Sequence, residues 1–358
     1  MSEPTVLVAM SGGVDSSLAA ALLVDRGYRV IGATMKTFCY AETPAHGRTC
    51  CGLDGIMDAR RVCDRLGVPH YVFDMEESFG AAVMDDFVDE YVAGRTPNPC
   101  VRCNSNTKIP DLLRRGRMLG ADYIATGHYA RMVPGEDGPS IALSSDDAKD
   151  QTYFLWGVPS EVLPSLLFPV GDLTKPEVRL RARAQALETA DKPESQEICF
   201  VPTGDYTDFL ADRLGSGHPA LSPGELVTRD GTVVGRHDGY GRYTVGQRKG
   251  LGGGHGRRLY VLGVTPAENR VVVGTNDELY RDDVVLGDVN WLNAAPAPGE
   301  TVRVRLRHRA PLVDAVVEPG ENDATVRLRL AAPQRAVTPG QSGAVYRDDI
   351  LLGGGRIR

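Results

Sequence analysis

The sequence has no long apolar run: no stretch of its 358 residues approaches the roughly 18 apolar residues that a membrane-spanning helix needs. The first residues carry no basic cluster, and Ser-Gly-Gly at residues 11–13 interrupts the first apolar run. These absences exclude a helical membrane protein and a typical secretory leader, so we expect a cytoplasmic location and no membrane partner. Internal repeats are missing too, which excludes a repeat architecture.

Lysine is scarce, with 6 residues against 34 arginines, and the net charge is −7. The acidic balance excludes a protein that coats nucleic acid indiscriminately, so binding to RNA would require local basic surface. Arginine carries a planar fork that pairs with phosphate at two points. The places where arginine clusters are therefore more informative than its total.

Cysteine occurs an odd number of times, which in a long chain of this kind argues against a disulfide scaffold. Structural zinc needs four grouped ligands, and at most three of these cysteines look grouped. Metal, redox and nucleophilic roles stay open. The seven cysteines are Cys39, Cys50, Cys51, Cys63, Cys100, Cys103 and Cys199.

Strand-like and helix-like patterns alternate over the first 130 residues. Such alternation predicts an α/β domain with a doubly wound parallel sheet and helices on both faces. Residues 150–200 continue in helical style, with Thr174 as a helix cap. Predicted strands cover residues 5–10, 29–35, 70–73 (a short buried strand) and 122–125, and predicted helices cover residues 15–26, 54–66, 76–92 and 106–119.

The pattern changes near residue 205, after which short alternating runs are separated by Gly, Pro and Asn turns. A chain of this length exceeds one ordinary core, so several domains are expected. We predict a catalytic domain over residues 1–204, a small central and mostly β domain over 205–280, and a C-terminal β-barrel over 281–358. Barrel strands are predicted at residues 302–309, 324–330 and 344–352.

The first strand and helix are joined by SGGVDS, residues 11–16. Its glycines let the backbone approach a ligand, and the amides of the first helical turn form an anion site. The string lacks the lysine of a Walker loop and the spacing of a dinucleotide loop. It is the pyrophosphatase-loop (PP-loop) signature of ATP-adenylating enzymes of adenine-nucleotide α-hydrolase type. We therefore expect bound ATP and an adenylated product, with Asp15 as a candidate Mg²⁺ ligand.

Two further strand ends are expected to border the nucleotide, because ligands of an open parallel sheet lie at the carboxyl ends of its strands. Met35 stands where the second predicted strand ends. Gly127 and His128 follow the strand predicted at residues 122–125. Packing or turn roles are the alternative for each of these residues.

Cys100 and Cys103 lie three residues apart in a Pro-rich loop that is predicted to precede a helix. A helix N-terminus together with Arg102 and Lys108 should lower the pKa of a thiol there and favour the thiolate. Three explanations stay open for these two cysteines and Cys199: small buried apolar residues, a metal or iron–sulfur site, and sulfur transfer in which one thiol carries a sulfane sulfur and another resolves it. The other four cysteines are interpreted as structural or incidental.

Three basic clusters are candidate RNA contacts. The arginines of one cluster alternate along a predicted strand, so all four should line one exposed side while the intervening apolar residues face the core. Basic patches on three domains fit a large folded polyanion, and an enzyme that modifies a base must flip that base out. The clusters are Arg303, Arg305, Arg307 and Arg309 (with Val302, Val304 and Leu306 facing the core); Arg102, Lys108, Arg114, Arg115 and Arg117; and Arg242, Arg248, Lys249, Arg257 and Arg258.

Several motifs together resemble the tRNA-specific 2-thiouridylase family, and they run in order over essentially the whole chain. They are AMSGGVDSS, GRTPNPCVRCN, GADYIATGHYAR, KDQTYFL, SQEICFV, TVGQRKGLG and AVTPGQSGAVY. The resemblance implies a sulfurtransferase that carries out ATP-dependent 2-thiolation of the wobble uridine of tRNA. The C2 oxygen would be adenylated, sulfur would come from a cysteine persulfide, and AMP and pyrophosphate would be released.

The resemblance also implies roles for single residues, with Cys103 as the nucleophile, Cys199 as the persulfide carrier and a disulfide between them. Some relatives have Asp at the position of Cys100, and an Arg-aromatic pair where this chain has Arg307 and His308. The implied ATP contacts are Ala9, Met10, Ser11, Gly12, Gly13, Val14, Asp15, Ser16, Met35 and Gly127. The implied tRNA contacts are Asn98, Pro99, Cys100, His128, Lys149, Asp150, Gln151, Arg307, His308 and Gln341.

The expected partners are tRNA and a sulfur-donor protein, either a cysteine desulfurase or a sulfur-relay carrier. We expect a monomer that uses ATP and Mg²⁺, with no metal site built by the protein itself. One alternative is thiolation that depends on an iron–sulfur cluster held by cysteines, which we favour less. An ATP-dependent ligase would leave the thiols and arginines without a role, and an RNA-binding module with a structural metal would leave the PP-loop without one.

Overall fold

The structure is a computed structural model that describes residues 3–37, 53–135, 137–193, 198–201, 205–252, 258–322 and 324–358. The first sheet contains β1 (Thr5–Ala9), β2 (Arg29–Lys36), β3 (His70–Asp74), β4 (Tyr123–Ala125) and β7 (Leu166–Leu167). Its strand order is β3-β2-β1-β4-β7, and every pairing is parallel. The carboxyl ends of all five strands therefore lie at one edge.

The central strand β1 is buried on both faces. Leu7 packs into one apolar core, while Val6 and Val8 pack into a second core. Successive strand residues point to opposite faces, so helices cover both sides and the predicted doubly wound α/β fold is confirmed. The α-helices are α1 (Val14–Asp25), α2 (Leu53–Leu66), α3 (Glu76–Phe79), α4 (Asp85–Val92), α5 (Pro99–Arg102), α6 (Ile109–Met118), α7 (Lys175–Ala184) and α8 (Tyr206–Leu214). No helix within these ranges is long and apolar enough to cross a membrane.

The strand β3 lies at the edge of the sheet, and the prediction of a buried strand there is wrong. Tyr71 and Val72 are 44% and 47% exposed. In the described part of the chain β3 pairs with β2 alone, so its apolar side chains are not enclosed as those of β1 are.

The helix predicted at residues 106–119 begins earlier, at Pro99, so the prediction of a loop around Cys100 and Cys103 is wrong. Proline suits the first turn of a helix, because its missing N–H would have no partner there anyway. From Pro99 the chain runs through α5, a π-helical turn over Cys103–Lys108, and α6. Both cysteines thus lie on helical backbone.

Regular helix is rarer than predicted in two other places. Residues 76–92 form α3, a π-helical turn over Gly80–Met84, and α4. Among the described residues between 150 and 193, the helical segments are α7 and two short 3₁₀-helices, Thr152–Phe154 and Ser160–Ser165, so the helical style predicted for residues 150–200 is confirmed only in part. The predicted cap is confirmed, because Glu177 Oε2 accepts a hydrogen bond from the N–H of Thr174 at 2.7 Å.

An antiparallel hairpin follows β4 and has no counterpart among the predicted strands. It consists of β5 (Arg131–Gly135) and β6 (Gly138–Ala142). Ala142 pairs with Ile350 in the last strand, β17 (Ile350–Ile357), so the hairpin extends the C-terminal sheet. The first and last parts of the chain are therefore joined by backbone pairing.

The remaining strands form a four-stranded sheet and a closed barrel. The four strands are β8 (Gly224–Val227), β9 (Val233–His237), β10 (Tyr260–Thr265) and β11 (Arg270–Gly274), in the order β10-β11-β8-β9. The barrel strands besides β17 are β12 (Tyr280–Trp291), β13 (Thr301–Arg305), β14 (Val313–Pro319), β15 (Thr325–Arg335) and β16 (Ser342–Arg347). Because β12 pairs with both β15 and β17, six antiparallel strands close, which confirms the predicted barrel.

The prediction of four arginines on one exposed side of a strand is wrong. The strand β13 ends at Arg305, so Arg307 and Arg309 lie in the following loop, where Arg309 has a φ of +62°. Arg305 is only 9% exposed, because the N-terminal part of the chain covers the outer face of this strand. The residues predicted to face the barrel core do so: Val302, Val304 and Leu306.

Arg305 is buried against a carboxylate from the N-terminal part of the chain. Its Nη1 lies 2.6 Å from Asp150 Oδ1, and Asp150 is 4% exposed. The same carboxylate accepts hydrogen bonds from Thr152 Oγ1 at 2.7 Å and from the N–H of Ser144 at 2.9 Å. Thr152 Oγ1 lies 2.9 Å from the hydroxyl of Tyr346 in β16. This buried network joins the barrel to the N-terminal part of the chain, although Arg305 Nε is buried without a hydrogen-bond partner among the described residues.

We expect Arg305→Met to lower the free energy of unfolding by about 3 kcal/mol, because it leaves the buried Asp150 carboxylate without its counter-charge. Denaturant unfolding followed by circular dichroism measures the change. Arg303→Met is the matched control, since Arg303 is only half-buried on the same strand and donates to the backbone carbonyl of Asp348. The control should lose less than about 1 kcal/mol, and equal losses would contradict a special role for the buried pair.

Candidate active site

The loop after β1 turns sharply into α1. Gly12 has a φ of +71°, and a Cβ added there would lie 2.2 Å from the carbonyl oxygen of Gly55 in α2. The hydroxyls of Ser16 and Ser17 donate to the carbonyl of Gly13 at 3.1 and 2.8 Å. This arrangement leaves the first amides of α1 at the carboxyl edge of the sheet, where an anion can accept hydrogen bonds from them.

Two neighbouring strand ends lie beside this loop. Gly127, two residues after β4, packs on the first turn of α1, since an added Cβ would lie 2.6 Å from the backbone nitrogen of Ser16. Met35 is buried near the end of β2. Both residues are thus at the sheet edge that carries the loop, and their contact with ATP stays a prediction.

The carboxylate of Asp15 is bound by the protein itself. Lys175 Nζ, from the start of α7, lies 2.8 Å from each of its oxygens. The hydroxyl of Tyr129 donates to Oδ1 at 2.7 Å. Three contacts from the protein thus already engage this carboxylate, and a role of Asp15 as Mg²⁺ ligand stays a prediction.

A second lysine touches the loop. Lys192 Nζ donates to the carbonyl of Gly12 at 2.9 Å and lies 2.5 Å from Asp58 Oδ2 in α2. An ammonium on a flexible stem can move from a carbonyl to a bound phosphate. Sequence reasoning missed Lys175, Lys192 and Tyr129. The signal that could have pointed to the two lysines is the rarity of lysine in the chain, since two of its six lysines contact residues of this loop.

Cys103 and Cys199 lie on one aromatic cluster, although they are far apart in the sequence. Both thiols are half-buried and pack against the same group of side chains, which joins α4 to α8. Within it the rings of Phe87 and Phe200 meet edge to face, with centroids 5.2 Å apart. The fold therefore places both cysteines against one apolar cluster, and their roles in sulfur transfer stay a prediction. The buried members of the cluster are Phe79, Val83, Phe87, Val88, Tyr91, Phe200, Val201 and Leu210.

The other cysteines differ in their surroundings. Cys100 is exposed on α5. Burial and the charge of Asp64 raise the pKa of the Cys63 thiol to about 12, so Cys63 is inert as a nucleophile near neutral pH. In the described part of the chain, no three His, Cys, Asp or Glu side chains are placed to hold a metal ion. Outside the described residues lie Cys39, Cys50, Cys51 and, from the third basic cluster, Arg257.

His128 is held next to Gly127 at the same sheet edge. Its Nδ1 lies 2.8 Å from Thr126 Oγ1, and its ring meets Phe168 edge to face with centroids 6.2 Å apart. The residue keeps some accessible area, but dense surrounding protein and the charge of Lys108 lower the pKa of the imidazole to about 3. At neutral pH His128 is uncharged, so it can hydrogen-bond to RNA but cannot pair with a phosphate as a cation.

Three of the predicted RNA-contacting residues make contacts inside the protein. The Asp150 carboxylate is buried on Arg305, so it is not available to RNA. Gln151 Oε1 accepts a hydrogen bond from the N–H of Tyr129 at 2.9 Å. Gln341 Nε2 donates to the carbonyls of residues 96 and 97 at 3.0 and 3.1 Å, just ahead of the cysteine helix.

Of the other predicted RNA contacts, Pro99 is buried, and the rest are half-buried or exposed. Asn98 and Pro99 begin the cysteine helix, and Lys149 is half-buried in the loop before Asp150. Arg307 is exposed in the loop after β13, where the ring of His308 lies 4.6 Å from that of Phe154. RNA contact by these residues stays a prediction.

The basic cluster beside Cys103 is largely paired within the protein. Arg102 Nη2 lies 3.0 Å from Asp86 Oδ1. Arg114 Nη2 lies 3.1 Å from Asp111 Oδ1 on the same helix. The positive potential near the thiol is thus smaller than the count of arginines indicates.

Three family models match the chain in succession. Residues 4–203, more than half of the chain, match a model described as a tRNA methyl transferase HUP domain. Residues 207–275 match the PRC-barrel domain of that family, and residues 281–357 match an aminomethyltransferase β-barrel domain. By its fold and site, the protein thus belongs to the class of three-domain proteins that begin with a HUP domain. The models of its first two domains carry the name tRNA methyl transferase.

Curated relatives align over nearly the whole chain. The tRNA-specific 2-thiouridylase MnmA of Geobacter metallireducens is 50% identical over 361 residues, which cover 98% of this chain and 96% of the relative. The protein of the same name from Rhodospirillum centenum is 48% identical and covers 99% and 92%. The chain belongs to the tRNA-specific 2-thiouridylase family, whose members are sulfurtransferases, and this confirms the resemblance of the motifs. A solved 4-thiouridine synthetase–RNA complex with bound ATP is 12% identical over 60% of this chain and 51% of its own, with a TM-score of 0.35, which is too low to bear on function.

We expect Gly127→Ala to raise the KM for ATP at least about tenfold, because the added methyl group would displace the first turn of α1. Titration with ATP, followed by pyrophosphate release in the presence of tRNA, measures the effect. Gly80→Ala is the matched control, because a Cβ at that helical position would meet nothing within 4 Å. Unchanged ATP affinity in the Gly127 variant would contradict the placement of the nucleotide on this loop.

The lowered pKa of His128 predicts a pH dependence of folding. The unfolded chain protonates this imidazole below about pH 6.5, whereas the folded chain leaves it neutral down to about pH 3, so stability falls as the pH falls through that window. His128→Asn should make the slope shallower by up to about 1.4 kcal/mol per pH unit in urea unfolding between about pH 5 and about pH 7. Burial also lowers the pKa of His70, His237 and His308, so part of the slope should persist. If stability depends on pH with the same slope in variant and parent, the lowered pKa of His128 is refuted.

Proposed function

We propose that the protein is an ATP-dependent tRNA-uridine 2-sulfurtransferase that thiolates C2 of the wobble uridine. The observation that carries the proposal is one domain with both an anion-binding loop after β1 and two half-buried thiols, Cys103 and Cys199, on one aromatic cluster. Relatives that align over nearly the whole chain are named tRNA-specific 2-thiouridylases. A ligase on the same loop would have no use for the thiols.

In the first half-reaction the C2 oxygen of the uridine attacks the α-phosphate of ATP, and pyrophosphate leaves. The amides at the start of α1 bind the phosphates, and Lys192, which already touches the loop, offsets the charge of the leaving pyrophosphate. Adenylation makes the C2 oxygen part of a good leaving group, AMP. The residues assigned to ATP are Ala9, Met10, Ser11, Gly12, Gly13, Val14, Asp15, Ser16, Met35 and Gly127.

In the second half-reaction Cys199 carries a persulfide. Its terminal sulfur attacks C2, AMP leaves, and C2 is joined to Cys199 through two sulfur atoms. The Cys103 thiolate then attacks Cys199 Sγ, which releases 2-thiouridine and forms a Cys103–Cys199 disulfide. The two thiols supply the electrons that reduce the sulfane sulfur, so an external thiol must reduce the disulfide before the next turnover.

Cys199 has to be loaded by another protein, because a cysteine side chain does not make sulfane sulfur alone. A cysteine desulfurase or a sulfur-relay carrier has the required chemistry. We further propose a monomer that acts in the cytoplasm. Its catalytic domain spans residues 1–204, its central domain 205–280 and its barrel 281–358.

Mg²⁺ fits this site as the ion that accompanies ATP and not as a metal held by the protein. Asp15 is already engaged by Lys175 and Tyr129. The described residues contain no group of three metal-ligating side chains. We therefore assign no protein ligand and no step of the reaction to the ion.

RNA bound to the barrel would lie close to the thiols. The ring of His308, in the loop after β13, packs on Phe154. The carbonyl of Phe154 accepts a hydrogen bond at 3.1 Å from Asn104, the neighbour of Cys103. Exposed Arg307 adds positive charge to the same loop. A uridine flipped out of an anticodon loop held there could reach the sheet edge and the cysteines.

Cys103→Ser and Cys199→Ser should each lower the formation of 2-thiouridine about a thousandfold, because each removes a sulfur atom that takes part in a covalent step. A single turnover of pyrophosphate release should persist, since adenylation does not need the thiols. Mass analysis of nucleosides, after incubation with unmodified tRNA, ATP and a sulfur donor, measures the product. Normal thiolation by either variant would overturn the proposal.

Cys100→Ser is the matched control, because Cys100 is an exposed thiol on the same helix. By the persulfide route this variant keeps most of its activity, and anaerobically purified protein works without iron. An iron–sulfur cluster held by Cys100, Cys103 and Cys199 would leave one iron open for sulfide, and Cys100→Ser would then lose iron, colour and activity together. Iron content that tracks the thiolation rate would select the cluster route.

A further inference from the structure

The last strand of the barrel sends a guanidinium to the helix that faces Cys103. Arg356 in β17 lies between two carboxylates of α4, with Nη2 2.8 Å from Asp86 Oδ1 and Nη1 in contact with Glu90 Oε1. Asp86 and Glu90 are one helical turn apart, so both carboxylates are on one face of α4. Arg356 therefore bridges two positions of the catalytic domain.

The bridge continues to the residue before the proposed nucleophile. Asp86 Oδ1, the oxygen that Arg356 binds, also accepts Arg102 Nε at 3.1 Å and Arg102 Nη2 at 3.0 Å. Arg102 ends α5, and the π-helical turn begins at Cys103. Such a turn holds one extra residue in the helix, and its register depends on what holds its ends. Arg102 is thus the point at which the bridge acts on Cys103.

The bridge is shielded from solvent. The Glu90 side chain is 3% exposed, that of Arg356 16% and that of Asp86 20%. Charge pairs in such surroundings keep a defined geometry better than surface pairs do. Glu90 also binds Arg95 and Asp86 also binds Arg102, so neither carboxylate loses its last partner when Arg356 is removed. A variant at Arg356 should therefore fold.

The barrel also holds the chain just ahead of the cysteine helix. The N–H of Thr96 donates to the carbonyl of Pro339 at 2.9 Å. Gly340, with a φ of +89°, packs so closely that an added Cβ would lie 2.8 Å from the nitrogen of Thr96. Residues of the barrel thus hold the segment just before α5, and through Asp86 they also hold Arg102 at the end of α5.

We infer that Arg356 is a positioning residue that, through Asp86 and Arg102, sets the placement of Cys103 from the barrel. The inference rests on the proposed role of Cys103 as the nucleophile. It gives the barrel a part in the chemistry beyond holding RNA, because a shift of β17 moves the guanidinium that fixes the cysteine helix. A small misplacement of a reacting group costs a large factor in rate.

The test compares Arg356→Gln, Arg356→Lys and the parent enzyme. We expect Arg356→Gln to lower kcat about tenfold with KM values for ATP and tRNA within about twofold, and to change the rate of Cys103 alkylation by iodoacetamide at least about threefold. Arg356→Lys keeps the positive charge and should recover part of both effects. Recovery should stay incomplete, because a single ammonium cannot span two carboxylates. Arg347→Gln is the matched control, since Arg347 binds Glu300 on the same barrel, with Nη2 2.6 Å from Oε1.

Two results would overturn the inference: wild-type alkylation of Cys103 in Arg356→Gln, or a raised KM for tRNA with unchanged kcat. Either would reduce the bridge to a contact between domains. Loss of thermal stability with an unchanged alkylation rate would count in the same way. If the parent enzyme forms no 2-thiouridine, the proposed function fails by itself. The alkylation rates, measured by peptide mass analysis on the full chain, still decide the role of Arg356.

Discussion

The buried ion pair between Asp150 and Arg305 is the constraint on which the arrangement of the two end domains depends. A carboxylate this far from solvent keeps its charge only with a partner, and here the partner comes from the first half of the barrel. Thr152 and Tyr346 extend the network to a second barrel strand. The pairing of Ala142 with Ile350 adds a backbone contact between the same two parts. These contacts together fix how the barrel sits on the N-terminal part of the chain.

The position of the barrel in turn affects the segment that carries Cys103. Gln341 reaches from the barrel to the segment before Cys103. Arg356 reaches Asp86 in α4, which in turn binds Arg102, the residue next to Cys103. The loop with His308 packs on Phe154, which is hydrogen-bonded to the helix of Cys103. The segment that carries Cys103, the proposed nucleophile, is thus held by two domains at once, and one of them is the domain proposed to hold RNA.

The nucleotide end of the site is built by different means. Backbone shape dominates there, since Gly12 and Gly127 admit α2 and α1 to distances that any side chain would prevent. Two lysines then set the charge, one on Asp15 and one on the carbonyl of Gly12. The nucleotide loop thus depends on backbone shape and two lysines, whereas the cysteine helix depends on contacts from another domain.

The sequence by itself determined the features that depend on neighbouring residues. These include the strand–loop–helix junction at residues 11–16, the cap at Thr174 and the inward face of β13, because turns, caps and strand alternation follow from local backbone geometry. The alternation also placed Arg305 on the outward face, but only the tertiary structure showed that another domain covers it. Likewise Asp15 reads locally as a metal ligand, and only the tertiary structure shows that Lys175, remote in the sequence, binds its carboxylate. The placement of Cys103 and Cys199 against one cluster has the same origin. Contacts between distant segments depend on how whole elements pack, and no local pattern records that.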